Sequence, residues 1–187
     1  QHHEDGADEW NAEGGPLWVS RGPPGDPIYK AFIQAGQQAG FPATRDFNGR
    51  QQEGVGPYHL TIRDGERWST AAAYLRPVVG RSNLTVLSNA YAHRVLIENK
   101  VAVGVEFSAG PGKPVQTVMA SREVLLCGGA FQSPQMLMLS GIGPGAELQK
   151  HGIDVVLDAP EVGRNLQDHL DVCLIYEMTK PLSMYSK

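Results

Sequence analysis

Cysteine is scarce in this sequence: Cys127 and Cys173 are the only two, far apart and without Cys-x-x-Cys spacing. That excludes a disulfide scaffold and a structural zinc site, and it is compatible with a reducing compartment without establishing one. Runs of one charge are missing as well. The net charge is −4 with a pI near 5.8, and no basic stretch is long enough to track phosphates, so nucleic acid is not an expected partner. No apolar run approaches the roughly 18 residues of a membrane span. The polar, acidic stretch from Gln1 to Gly15 is unlike a signal peptide. These absences favour a soluble protein, with the cytoplasm the favoured location. There is no internal repeat. No Gly-x-Ser-x-Gly occurs, which ranks a hydrolase last among the functions considered. An initiator Met is absent too, which points to processing or to a piece of something longer, and Lys187 would suit a trypsin-like cut.

What is present is an ordinary globular composition of about one domain's size, with 41% apolar and 19% charged residues, enough to bury a core. Its 22 glycines and 13 prolines make turns frequent, yet apolar periodicity persists between them, so disorder is not the reading.

Asp26-Pro27 opens the clearest helix, with Asp26 as N-cap and Pro27 in the first turn. Ile28, Ala31, Phe32 and Ala35 follow at helical spacing, and Gly40 is a suitable stop. Asn48-Gly49 marks a turn, Gly54-Val55-Gly56-Pro57 requires an unusual backbone path, and a short helix is predicted over 70–75, ending before Pro77. From Leu84 the period changes. Strands are predicted over 84–88, 91–97, 101–107 and 116–120, with Glu98-Asn99-Lys100 as a hairpin turn and Gly110-Pro111-Gly112 as another. The run Glu123 to Cys127 reads as a buried parallel strand that feeds Gly128-Gly129-Ala130, after which Ser133-Pro134 starts an amphipathic helix through Leu139. A strand, a glycine turn and a capped helix make half of an α/β nucleotide-binding layer. A further short helix is predicted over 146–151, closed by Gly152.

Four stretches carry a resemblance to the glucose–methanol–choline (GMC) oxidoreductase family. The most specific is Gly128-Gly-Ala-Phe-Gln-Ser-Pro-Gln-Met-Leu-Met-Leu-Ser-Gly-Ile-Gly-Pro144, which resembles that family's second signature. Gly15-Pro-Leu-Trp-Val-Ser20 is similar to the family's Gly-Pro-Leu-x-Val-Ser. Phe47-Asn-Gly-Arg-Gln-Gln-Glu-Gly-Val-Gly56 with Arg67-Trp-Ser-Thr-Ala-Ala-Ala-Tyr-Leu75 resembles the part linking cofactor and substrate domains. Val162-Gly-Arg-Asn-Leu-Gln-Asp-His169 is similar to the family's Val-Gly-x-Asn-Leu-x-Asp-His. The resemblance covers essentially the whole chain and is nearest in tone to choline and bacterial alcohol dehydrogenases.

The resemblance implies an α/β (mixed α+β) fold: part of an FAD-binding Rossmann-like domain and part of a substrate-binding domain. It implies a central segment of an enzyme that oxidises a CH–OH donor to a carbonyl by hydride transfer to flavin, with FAD held covalently or non-covalently through other segments. Residues 1–83 are then a linker and substrate-domain segment, 84–159 an FAD-domain segment, and 160–187 the start of a further substrate-domain segment. The implied partners are the remaining N- and C-terminal segments of the same enzyme, a small alcohol, and an electron acceptor or oxygen. The expected cofactor contacts are Ala92, whose backbone takes the place beside adenine where the family usually has Val, and Gly128, Gly129 and Ala130 at the turn. Alternation sets Tyr91, His93, Val95 and Ile97 on one side of the strand and Ala90, Ala92 and Arg94 on the other. The plainer readings are an ordinary strand position and a glycine turn that merely packs.

No catalytic residue is expected within the chain. The family's Gly-x-Gly-x-x-Gly loop and catalytic His lie outside the matched part, and Gly141-Ile-Gly143-Pro-Gly145 is a poor imitation of that loop because it follows a helix. Asn165, Asp168 and His169 are read as structural or hinge residues rather than as a general base, because no nucleophile or third orienting group accompanies them. His2 and His3 beside Glu4 read as a solvated tail rather than a metal site. The rival from another class is a non-catalytic binding or interaction fragment.

Overall fold

Asp26 and Pro27 begin helix α1, Pro27–Gln38, as their order predicts. The Asp26 carboxylate accepts from the Ile28 N–H at 3.0 Å, and Gly40 leaves the helix with a φ of +94°. The computed structural model describes residues 1–21, 26–175, 177 and 179–180. The chain forms two compact units, one built on Gln1–Val86, the other on Leu87–Cys173, and each is described by itself.

In the first unit, β1 (His2–His3) runs parallel to β2 (Trp18–Val19), and Ser20 exchanges two backbone hydrogen bonds with Leu60. Strands β3 (Ile62–Arg63) and β4 (Glu66–Arg67) form a hairpin around Asp64-Gly65, both at positive φ, which matches the right-handed twist of paired strands. The Arg63 guanidinium lies 4.9 Å from the rings of both Trp18 and Trp68, and Trp68 Nε1–H donates to the Pro16 carbonyl at 2.8 Å. The His2 ring stacks on Trp18 at 4.2 Å. The glycines of 54–57 are required by close approach. Val55 runs beside Ala43, and a Cβ on Gly54 would strike the carbonyl of Pro42, one on Gly56 that of Thr44. The helix predicted over 70–75 is a π-helical turn, Ala71–Leu75, with Ala72 and Ala73 buried. It ends at Leu75, before Pro77 as expected. A separate 3₁₀ turn, Arg76–Val78, follows, and Pro77 is accepted there because the first residues of a helical turn need no N–H partner.

The second unit is centred on a three-stranded antiparallel sheet, β5 (Tyr91–Glu98), β6 (Val101–Ser108) and β7 (Gln116–Met119), in that order. The hairpin turn has Asn99 and Lys100 at φ of +50° and +67°, the two positive angles of a type I′ turn. Helix α2 (Gly129–Leu139) is followed by β8 (Ile142–Gly143), helix α3 (Gly145–Lys150) and β9 (Leu157–Asp158), with β8 and β9 parallel. Leu148 of α3 is almost wholly buried, and Asp158 accepts from the Gly145 N–H at 2.8 Å. Gly152 closes α3 with a φ of +69°.

Four expectations are corrected here. Residues 84–88 and 123–127 form no strand, and Leu125 is 73% exposed instead of buried on both faces. Apolar sequence states what side chains need, whereas a strand also requires a neighbour for its backbone, and among the described residues none pairs with either segment. Ser133-Pro134 does not start α2: the helix begins at Gly129, without a side-chain cap, and Pro134 lies inside it. Pro134 has no N–H, so the Ala130 carbonyl lacks its usual i+4 donor. The helix is also apolar around much of its girth, with Phe131 and Leu139 exposed, rather than amphipathic. Overall the fold is a mixture of helix and strand, as expected.

One buried residue ties α2 to the sheet. Ser140, its C-cap, donates its hydroxyl to the Met136 carbonyl at 2.6 Å and accepts from the Val95 N–H at 2.8 Å. Replacing Ser140 by Ala leaves that buried amide without an acceptor, at a cost of about 1–3 kcal/mol. The Val95 amide should then exchange with solvent roughly 5- to 150-fold faster in the full-length protein, read by hydrogen–deuterium exchange. Unchanged exchange would show that another group serves that amide.

Candidate functional site

Ala92 lies on β5, an edge strand of the sheet, with its side chain exposed. It faces Phe107, while Arg94 faces Glu106, so His93 is the extra residue of a β-bulge. The strict alternation expected along 90–97 is therefore broken at His93. A second irregularity, between Leu96 and Ile97, makes Val103 the extra residue on β6. His93 is held by chemistry of its own. The fully buried Ser108 hydroxyl donates to the Gly110 carbonyl at 2.9 Å, so it accepts from His93 Nε2–H at 2.9 Å. Beyond the bulge, Arg94 grips Glu106 through two bonds of 2.6 and 3.0 Å, and those bonds hold the Glu106 carboxyl below its ordinary range.

Gly128, Gly129 and Ala130 are exposed at the head of α2. Gly129 has a φ of +79° and a Cβ there would meet open space, whereas a Cβ on Gly128 would come within 3.0 Å of the Gln132 Cβ. The backbone N–H groups of the first helical turn have no partner within the helix, so this end offers donors to an anion. Those donors belong to the residues from Gly129 onward, not to a turn at Ser133. Among the described residues no hydrogen bond joins Ala92 to Gly128–Ala130; the bond between Val95 and Ser140 joins β5 to the opposite end of α2.

Asn165 has a φ of +56°, and Asp168 accepts from the backbone N–H of His169 at 2.7 Å rather than from its ring. Both Asp168 and His169 are exposed. Gly141 is occupied internally, its carbonyl accepting from the N–H groups of Val156 and Leu157. Among the described residues there is no cluster of three or more groups suited to a metal ion, and no helix long and apolar enough to cross a membrane.

The first unit holds a polar cluster that sequence reasoning missed. His3 is no solvated tail: it is 3% exposed, fixed by the pairing of β1 with β2. It meets His59, and His3, Asp5, Asp8, Asn11, Asp46 and His59 line part of a cavity of about 230 Å³. Burial works against the charge on Asp46. Hydrogen bonds from the Asn11 side chain and the Asn48 N–H, with His59 and His3 nearby, outweigh it and hold the carboxyl below its ordinary range. Nothing in the local pattern His2-His3-Glu4 signals this burial; the one hint was Asp46-Phe47-Asn48-Gly49, whose turn carries the facing carboxylate.

The sequence profile of the GMC oxidoreductase family matches residues 4–171. An oxygen-dependent choline dehydrogenase from Brucella ovis is 47% identical over 187 residues, which is 100% of this chain and 34% of that protein. The chain thus spans about a third of the length of the curated relatives it matches. Among solved structures, pyridoxine 4-oxidase from Mesorbium loti shares the fold with a TM-score of 0.77 and 37% identity, over 85% of this chain and 31% of that one. An FAD-dependent oxidoreductase from Chaetomium thermophilum does so with a TM-score of 0.75 and 27% identity, over 80% and 26%. Helix and strand content, the four matching stretches and the span of the profile agree, and the chain belongs to the GMC oxidoreductase family.

Proposed function

We propose that this chain is the central segment of an FAD-dependent oxidoreductase that oxidises an alcohol, as a CH–OH donor, to a carbonyl. The observation that carries the reading is the match along the whole chain to an oxygen-dependent choline dehydrogenase at 47% identity. When bound, FAD supplies the acceptor for the hydride. The residues present fit such a group: Ala92 offers exposed backbone on an edge strand, and Gly129 leaves open space at the head of α2. Ala92, Gly128, Gly129 and Ala130 are the proposed contacts. Residues 84–159 are the cofactor-domain segment, 1–83 the linker and substrate-domain segment, and 160–187 the start of a further substrate-domain segment, of which 176, 178 and 181–187 lie outside the described residues. The proposed partners are the flanking segments of the same enzyme, a small alcohol, and an electron acceptor or oxygen. A soluble, cytoplasmic setting belongs to the same proposal, supported by two free, exposed cysteines.

The test is flavin absorbance and dye-coupled alcohol oxidation of the 187 residues alone beside the full-length protein. The chain alone should retain no FAD and turn over no alcohol, and the full-length protein should do both. A full-length protein without flavin bands would favour a non-catalytic binding role, and turnover by the isolated chain would overturn the central-segment reading.

Bulk at the glycine turn separates contact from packing. Gly129 is unsuited to the test because its positive φ strains any L side chain. Ala130→Val adds bulk at an exposed helical position, where propensity alone costs about 0.5 kcal/mol. It should lower flavin content per folded protein severalfold while changing the unfolding midpoint little. Equal loss of both would favour packing.

His169→Ala should leave the flavin reducible by substrate, a reading supported by the exposure of His169 and by the lack of a carboxylate on its ring among the described residues. Stopped-flow flavin reduction reads this directly. A loss of many orders of magnitude at unchanged FAD content would make His169 the base.

A further inference from the structure

Two imidazoles join β1 to the segment that carries His59. His3 Nε2 lies 3.2 Å from His59 Nδ1, and the side chains are only 4% and 5% exposed. What lies at the two far ends fixes the hydrogens on the pair. At one end the Asp5 N–H can only donate, so His3 Nδ1, 3.3 Å away, accepts. At the other the Arg45 carbonyl can only accept, so His59 Nε2, 3.1 Å away, donates. A neutral imidazole carries one hydrogen. His3 and His59 therefore both hold theirs on Nε2, and the link between them runs from His3 Nε2–H to His59 Nδ1. Both ends independently demand the same order, and all four ring nitrogens are engaged.

Charged groups surround the pair. Asp5 Oδ2 is 3.7 Å from His3 Nδ1, and Asp46 Oδ1 is 3.4 Å from His59 Nδ1. Asp8, Arg21 and Arg45 line the same cavity, Arg21 being tied to Asp5 at 2.6 Å.

We propose that His3 and His59 form one proton-binding unit that accepts a single proton and opens on the second. The first proton adds to His59 Nδ1, which then donates to His3 Nε2 while the hydrogen of His3 is carried on Nδ1 instead, facing Asp5 Oδ2. One proton enters and none leaves. Asp46 stands beside the charged ring, and the loss is the Asp5 N–H bond to His3. A second proton sets N–H against N–H across 3.2 Å, between two cations shielded from water. The doubly charged state is thus disfavoured in the closed form, so closure is lost as the pH falls through the second step. What separates is β1, which leaves the segment bearing His59.

Histidine-selective 15N labelling of the full-length protein tests this, with signals assigned through His3→Gln and His59→Gln. At high pH both rings should be Nε2–H tautomers. On acidification both should report the same two steps rather than one step each. In His59→Gln, His3 should titrate in one step. Exchange protection of the His3 and Glu4 amides, which bond Ala12 and Val19, should be lost through the second step while α1 is unaffected. Two independent single-step curves, each indifferent to replacement of the other ring, would overturn the proposal. So would an Nδ1–H tautomer on either ring at high pH. If the variants fail to fold, the tautomers and step shape in the unsubstituted protein still decide it.

Discussion

The Val95 amide is buried on an edge strand, on the side of β5 that no other strand covers among the described residues, and the Ser140 hydroxyl receives its hydrogen. Much of the second unit follows from that bond. A bulge just before Val95 redirects the strand, Ser140 ends α2 where it reaches that amide, and Ile142 and Gly143 then form the short parallel pair with β9. An unpaired amide here would lack both water and a neighbour, so the sheet and helix are fixed to one another by the need to satisfy one backbone group.

The same need decides which parts of the fold were legible in the sequence. Asp26-Pro27, Asn99-Lys100 and Gly110-Pro111-Gly112 act within a few residues of themselves, and each forms the cap or turn that its chemistry predicts. The runs at 84–88 and 123–127 are different, because a strand is a relation between segments. Their alternation and apolarity indicate a preference, and the preference finds no ladder among the described residues. Ser133-Pro134 misled for a related reason. The pair is a good helix start taken alone, but the glycines before it adopt the first turn, leaving Pro134 inside.

The candidate site divides along the same line. Gly128–Ala130 was legible as a glycine turn because its residue types are locally restrictive, and Ala92 was legible only as a member of a strand. The bulge at His93 was not, since it depends on which residue of β6 stands opposite. The His3–His59 pair was still less accessible. His3 is buried by pairing with a strand that begins at Trp18, and its partner ring comes from beyond the Gly54–Gly56 loop. Nothing near Gln1 reports either event.

The guanidinium of Arg63 lies between two indoles because the β3–β4 turn contains two residues, neither more nor fewer. Side chains alternate across a strand, so one residue added at Asp64-Gly65 would shift β4 against β3 and move Trp68 out of register with Arg63. A lysine could supply the charge but not the flat surface that meets two rings at once. The length of this small loop is therefore fixed less by the loop than by the layer of rings it serves, and an insertion there would register first as a change in the tryptophan environment.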